Sequence, residues 1–285
     1  MPGPDPGRWN SGKHASLRDR LSRRPRSPMI DATNATDDQD ALPRLLTGAR
    51  AVLFDFDGPV CDLFRGVPTD DVAEQVKEAA RPYWGWRDPE GQGRLDPEVE
   101  SCYDSHGILR RLRDMYERPA SKKLSPEPLV LAEKIVTGQE TEALRTAVRA
   151  PHIVTLVDLL RELGLRLVVV SNNAEGPINT YLEHPDFHDK FEGVFGRDPK
   201  DARHMKPHPH CVGRALEHLG LHAPSCILIG DQVTDLKAAR AAGTRFVGYT
   251  REETRALEMK QGDADAVVST HLSIVIAAEK VRANQ

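Results

Sequence analysis

The chain has 285 residues, 39% hydrophobic and 29% charged, with a formal net charge of −4, a length that suits one large domain or two modest ones at roughly 100–200 residues each. So mild a charge excludes the basic field of a nucleic-acid reader, and no apolar run nears the ~20 residues of a membrane span, so neither is an expected partner. The cysteines Cys61, Cys102, Cys211 and Cys226 form no Cys-x-x-Cys pair, which excludes a disulfide scaffold or zinc ribbon and suits a reducing cytoplasm.

Residues 1–48 read as a disordered N-terminal tail. Met1–Pro28 is rich in Pro, Gly, Ser and Arg, and Met29–Gly48 turns acidic through Asp31, Asp37, Asp38 and Asp40. Neither part shows an apolar period able to offset its ordering entropy. The basic start is not followed by the apolar stretch of a signal peptide, and Met29 also reads as a candidate start. Order begins with the apolar run Ala51-Val52-Leu53-Phe54, a buried strand feeding a turn at Gly58. From Asp62 to Arg149 no strand is evident. Helical spacing prevails over Asp71–Ala80, Glu98–Tyr116 and Pro126–Arg149, broken by the turn-rich Arg87–Gly93 and by Pro119. Beyond that the pattern alternates. Helix His152–Leu163 precedes strand Leu165–Val170, and helix Gly176–Leu182 precedes strand Gly193–Gly196. Helix Pro209–Leu219 leads to strand Cys226–Ile229. Helix Val233–Ala242 is followed by strands Arg245–Gly248 and Ala266–Val268, and a last helix runs from Leu272. The alternation predicts an α/β fold, a doubly wound parallel sheet built by residues 49–61 and 150–285. Residues 62–149 are then a smaller helical domain inserted after the first strand.

In an open parallel sheet, ligands bind outside the carboxyl ends of the strands. After the first strand comes Asp55-Phe56-Asp57-Gly58, and after the second long one Ser171-Asn172-Asn173. Gly230-Asp231-Gln232-Val233-Thr234-Asp235 follows Cys226–Ile229, and Lys206-Pro207 leads into the helix before that strand. The i, i+2 spacing of Asp55 and Asp57 puts both side chains on one side of an extended chain. Together with Asp231 and Asp235 they would repel severely without a hard divalent cation, Mg²⁺ by preference. Carboxylates, a cation, a lysine and hydroxyl or amide donors are what a transferring phosphoryl group needs.

These residues, in this order, resemble the haloacid dehalogenase superfamily, in the branch similar to phosphoglycolate phosphatase and β-phosphoglucomutase. Phe54-Asp55-Phe56-Asp57-Gly58, Val170-Ser171-Asn172-Asn173, Lys206-Pro207 and Gly230-Asp231-Gln232-Val233-Thr234-Asp235 resemble its four motifs. The resemblance runs from about Ala49 to His271. It implies a Rossmann-like core with residues 62–149 as a helical cap, and a Mg²⁺-dependent phosphatase acting on a small phosphorylated metabolite. It further implies Asp55 as the nucleophile that forms an aspartyl-phosphate and Asp57 as general acid and base, with its backbone carbonyl on the metal. Ser171 and Asn172 would bind phosphoryl oxygens, and Lys206 would pair with Asp55 and the phosphate. Asp231 would ligate the metal, with Asp235 ligating it or standing one layer further out. Two residues depart from the family pattern: Pro59 stands where a threonine is common, and Gln232 where small residues are.

Other readings compete. A phosphomutase shares the first step but returns the phosphoryl group to a sugar, and a non-catalytic phospho-ligand sensor would keep the fold without turnover. A dehalogenase needs no acid for its leaving group, whereas Asp57 is present. A receiver domain would place its acceptor acid after a later strand. Ser171 and Asn172 could simply cap the next helix, and Asp235 could be a surface helix residue. His204, His208 and His210, flanked by prolines with no cysteine adjoining them in a ligand spacing, read as exposed loop histidines. Trp84, Trp86, Tyr103 and His106 read as cap core or surface, and Arg110-Arg111-Leu112-Arg113 as a solvated helix face.

Overall fold

The computed structural model describes residues 37–65, 67, 70–87, 93–118 and 124–285. Most of the expected tail, residues 1–36 with Met29, lies outside the described residues. The rest of that expectation is corrected. Leu42–Thr47 forms helix α1, with Pro43 in its first turn and Leu42, Leu45 and Leu46 buried. Ahead of it, Asp38 N donates to Val267 O at 3.1 Å, and the Asp38 carboxylate accepts from Val267 N at 2.9 Å. Asp37 accepts from Ser269 N at 2.9 Å. The acids that read as a solvated run satisfy the edge of a sheet, and three leucines are too few to show a period.

After α1 come β1 (Ala51–Phe54) and β2 (Cys61–Asp62). The inserted segment holds α2 (Asp70–Trp84), β3 (Trp86–Arg87), β4 (Gly93–Arg94), α3 (Pro97–Glu100), α4 (Ser105–Glu117), α5 (Glu127–Ala143) and β5 (Val148–Arg149). The chain continues through α6 (Ile153–Glu162), β6 (Arg166–Val170), α7 (Glu175–Leu182), β7 (Val194–Phe195), α8 (His210–Leu219) and β8 (Cys226–Gly230). It ends with α9 (Val233–Ala242), β9 (Arg245–Tyr249), α10 (Glu253–Gln261), β10 (Ala266–Val268) and α11 (His271–Ala283). The expected Glu98–Tyr116 helix is two helices, because the Asp104 side chain accepts from Gly107 N at 2.6 Å and starts α4 afresh. The insertion's strands are two residues long, too short for a period. Helix α10 carries no apolar period that would predict it, because Met259 is its one buried residue.

Six parallel strands form the main sheet in the order β10-β9-β8-β1-β6-β7. Every residue of β1 is buried, as a strand covered on both faces requires. Alternate residues serve opposite faces. Val52 and Phe54 join the core under α1, α6 and α11, while Ala51 and Leu53 join the one under α8 and α9. The chain leaves β1 for β6 and β7 on one side, then returns to β8, β9 and β10 on the other. Strand order thus reverses at β1, where such sheets open a crevice.

The insertion departs and returns through an antiparallel pair, β2 with β5, in which Cys61 faces Arg149. Its helices pack around their own buried cluster, including Val76, Ala80, Leu112 and Val136. Met205, from the segment between β7 and α8, is buried in that same cluster. Among the described residues no helix is long and apolar enough to cross a membrane.

Candidate active site

The carboxyl ends of β1, β6 and β8 meet at the reversal point. Asp55 N donates to Ile229 O at 2.9 Å, which fixes its backbone beside β8. Asp55 Oδ1 accepts from Phe56 N at 2.7 Å and from the Lys206 ammonium at 2.9 Å. The buried Lys206 Nζ also donates to Asp235 at 2.6 Å and to Val170 O at 3.2 Å. Lys206 therefore ties the ends of β1 and β6 to the start of α9. A buried ammonium is stable only with such partners. Against the desolvation that would lower it, Asp235 and Asp55 push its pKa up.

Asp231 follows β8, and Asp235 sits in the first turn of α9. Asp235 Oδ2 accepts from Gln232 N at 2.9 Å, so the acid caps the helix with one oxygen and meets Lys206 with the other. It is a buried residue, not a surface one. Gln232 answers for its departure from the family pattern: its Nε2 donates to Asp231 Oδ2 at 2.7 Å and orients that carboxylate. The other oxygen, Asp231 Oδ1, is buried with no hydrogen-bond partner. Carboxylate oxygens of Asp55, Asp231 and Asp235 all lie within 4.8 Å of one another. Burial, then Asp235, raises the Asp55 pKa to about 7, and burial, then Asp55 and Asp235, raises Asp231 to about 8. Mutually repelling oxygens and an orphaned buried one are the environment of a hard divalent cation, and among the described residues the group is made of carboxylates alone, which suits no softer metal.

Asp57 belongs to the same electrostatic field but stands outside that trio. Its Oδ1 accepts from Leu63 N at 2.8 Å, which turns the carboxylate toward the root of the insertion. Burial raises its pKa against that bond. Ser171 Oγ, fully buried, donates to Asn173 Oδ1 at 3.0 Å and accepts from Asn173 N at 3.2 Å. Asn172, expected to bind phosphoryl oxygens, has its side chain on the segment that carries Lys206. Its Oδ1 accepts from Lys206 N at 2.7 Å and its Nδ2 donates to Lys206 O at 3.4 Å, so its side chain clamps the lysine's backbone. Pro59 is anchored through its carbonyl, which accepts from the buried His271 Nε2 at 2.7 Å.

Residues not foreseen from sequence join the insertion to the site. Glu140 of α5 is fully buried, 3.0 Å from His106 Nε2 of α4 and 2.7 Å from Arg197 Nη1. Its Oε2 accepts from Ala174 N at 2.9 Å, and Arg197 Nη1 donates to Asn172 O at 2.8 Å. Burial alone would raise Glu140, but His106 and Arg197 hold it at about 2. The arginine run is corrected too. Arg111 is exposed, whereas Arg110 Nη2 donates across to Lys206 O at 3.2 Å and Arg113 reaches toward Asp201. Trp84 is cap core, stacked on Tyr116 with centroids 5.7 Å apart, and Trp86 and Tyr103 are exposed. A charge-bearing residue within a helix cannot reveal from sequence which distant loop it will meet.

Comparison with known proteins agrees with this geometry. Residues 49–243 match the family model for haloacid dehalogenase-like hydrolases. A phosphoglycolate phosphatase of Rhodospirillum rubrum is 29% identical over 220 residues, 73% of this chain and 84% of the relative. One from Neisseria gonorrhoeae is 29% identical over 205 residues, 70% of this chain and 80% of the relative. Among solved structures, a β-phosphoglucomutase from Clostridium difficile superposes with a TM-score of 0.53 at 19% identity, over 82% of this chain and 99% of the other. At that identity the likeness speaks for the fold alone.

Proposed function

We propose, from the premise that the chain belongs to the haloacid dehalogenase-like hydrolase family, that it is a Mg²⁺-dependent phosphatase of small phosphomonoesters working through an aspartyl-phosphate on Asp55. The observation that carries this reading is the buried Lys206 joined to Asp55 and Asp235, with the orphaned Asp231 oxygen beside them. Asp55, Asp231 and Asp235 would hold Mg²⁺, which when bound offsets the crowded carboxylates and the charge of the phosphoryl group.

The hydrogen bonds of the Asp55 carboxylate fall on Oδ1, which leaves Oδ2 to attack phosphorus. As that bond forms, the ester P–O bond breaks, and Asp57 gives its proton to the departing alkoxide. Burial favours the protonated form of Asp57 needed for this step. Water then attacks the phosphorus, Asp57 takes a proton from that water, and the bond to Asp55 breaks to release inorganic phosphate. Ser171 and Lys206 supply a hydroxyl and a positive charge for the phosphoryl oxygens. Asn172 acts through Lys206, as a positioning residue.

The relatives' names put 2-phosphoglycolate first among substrates to try. We place the chain in the reducing cytoplasm, because its four cysteines are buried and unpaired. The test is phosphate release from 2-phosphoglycolate, sugar phosphates and p-nitrophenyl phosphate, with and without Mg²⁺. Mg²⁺-dependent release is expected, lost in Asp55→Asn and reduced about 10²–10⁴-fold in Asp57→Asn. Release that survives Asp55→Asn overturns the reading, as does transfer between sugars with no free phosphate.

A further inference from the structure

We infer that Asp198, His204 and His210 form a second metal site, for a divalent transition ion of the zinc class, sharing no residue with the carboxylate cluster. One ligand atom from each lies within 4.8 Å of the other two, and all three side chains are half-buried. Of the histidines read from sequence as exposed loop residues, His204 and His210 are instead half-buried, while His208 is exposed with its ring 5.2 Å from that of His204. The rings of His204 and His210 stack with centroids 4.4 Å apart. Asp198, six positions from His204 along the chain, is brought back to its Nδ1 at 2.8 Å.

The chain holds each of these groups in place. Lys200 N donates to Asp198 Oδ1 at 2.9 Å, leaving Oδ2 to face the imidazole. His204 ends the short helical turn Ala202–His204, whose cap is the Asp201 side chain. His210 opens α8, and its N–H donates to His208 Nδ1 at 3.2 Å. A tetrahedral ion with bonds of about 2.0–2.2 Å sets its ligands roughly 3.5 Å apart. Ring rotation of about an ångström in half-exposed side chains meets that spacing. Two imidazoles with one carboxylate select zinc, cobalt or nickel over magnesium or calcium. Three protein ligands leave a position open, and a cavity of about 450 Å³ lined by Asp198, Lys200, His210 and Arg214 gives an ion and its water a path in.

The test uses the full chain, stripped of metal and titrated with Co²⁺ alone. Visible d–d absorption reports low-coordinate binding, and Zn²⁺ is added to displace it. One such Co²⁺ per chain is expected. It should weaken by at least about 100-fold in His204→Ala/His210→Ala, and by about 10–100-fold in Asp198→Asn, which removes the charge but keeps the shape. Asp231→Asn should retain it, since that change touches the other cluster. Should the alanine pair fail to match the wild-type melting curve, His204→Gln/His210→Gln carries the same test. A double variant whose titration equals wild type overturns the site. So does a cobalt signal that disappears in Asp231→Asn but persists without the histidines.

Discussion

Asp231 keeps one oxygen on Gln232 and buries the other without a partner, in the company of Asp55 and Asp235. In the metal-free chain its pKa rises from 3.8 to about 8, through burial first and then those acids. An acid raised in this way destabilises the fold increasingly as pH climbs above 3.8, fully so beyond about 8. Asp231→Asn should therefore raise the melting temperature of the metal-free protein at about pH 9, while abolishing both Mg²⁺-dependent turnover and stabilisation by Mg²⁺. A variant that melts below wild type there contradicts the crowding. His271 shows the opposite sign. Burial lowers its pKa from 6.5 to about 4, and it stacks on Tyr249 at 4.2 Å while donating to Pro59 O. A base depressed in this way lends stability above 6.5 that is lost as pH falls toward 4, on the order of 3 kcal/mol at about 1.4 kcal/mol per pH unit. Stability measured across that window should fall less steeply in His271→Leu than in wild type; equal slopes would assign the acid sensitivity elsewhere.

Between elements, two contacts join the inserted helices to the loops that hold the chemistry. The first is Glu140 of α5 with His106 of α4 and Arg197 after β7. Removing its charge in Glu140→Gln leaves a fully buried guanidinium with Glu133 as its remaining carboxylate partner. Loss of a buried partner of this kind costs about 3–5 kcal/mol, so a clear drop in melting temperature is expected; an unchanged one would show the network contributes nothing. The second is Met205, buried among the insertion's helices next to Lys206. Met205→Ala should destabilise by about 2–5 kcal/mol and lower kcat as well, because its neighbour loses its anchor. A kcat equal to wild type would separate the two effects. The main strands were legible because each is a short apolar run buried on both faces, and Ala51–Phe54 and Ala266–Val268 have the bounds read from sequence. Helix α10 and the two-residue strands were not, since one buried side chain or one pair of residues makes no period.

For the molecule as a whole, a parallel sheet whose order reverses at β1 brings residues 55, 171, 206, 231 and 235 to one edge from widely separated stretches of chain. Each of them could be named from sequence, because each follows a strand end or sits in a recurring motif. Partners were a different matter. That Asn172 grips the Lys206 backbone, that Gln232 steers Asp231, and that Asp198 returns to His204 are consequences of tertiary packing, which local spacing does not encode. The central claim is that a phosphoryl group passes through Asp55. Acid quench of a single turnover, followed by borohydride reduction and mass analysis of the peptide containing Asp55, tests it directly. The account predicts that Asp55 is found reduced to homoserine, with Mg²⁺ and substrate both required. Turnover that leaves Asp55 unmodified, or modifies another residue, would contradict it.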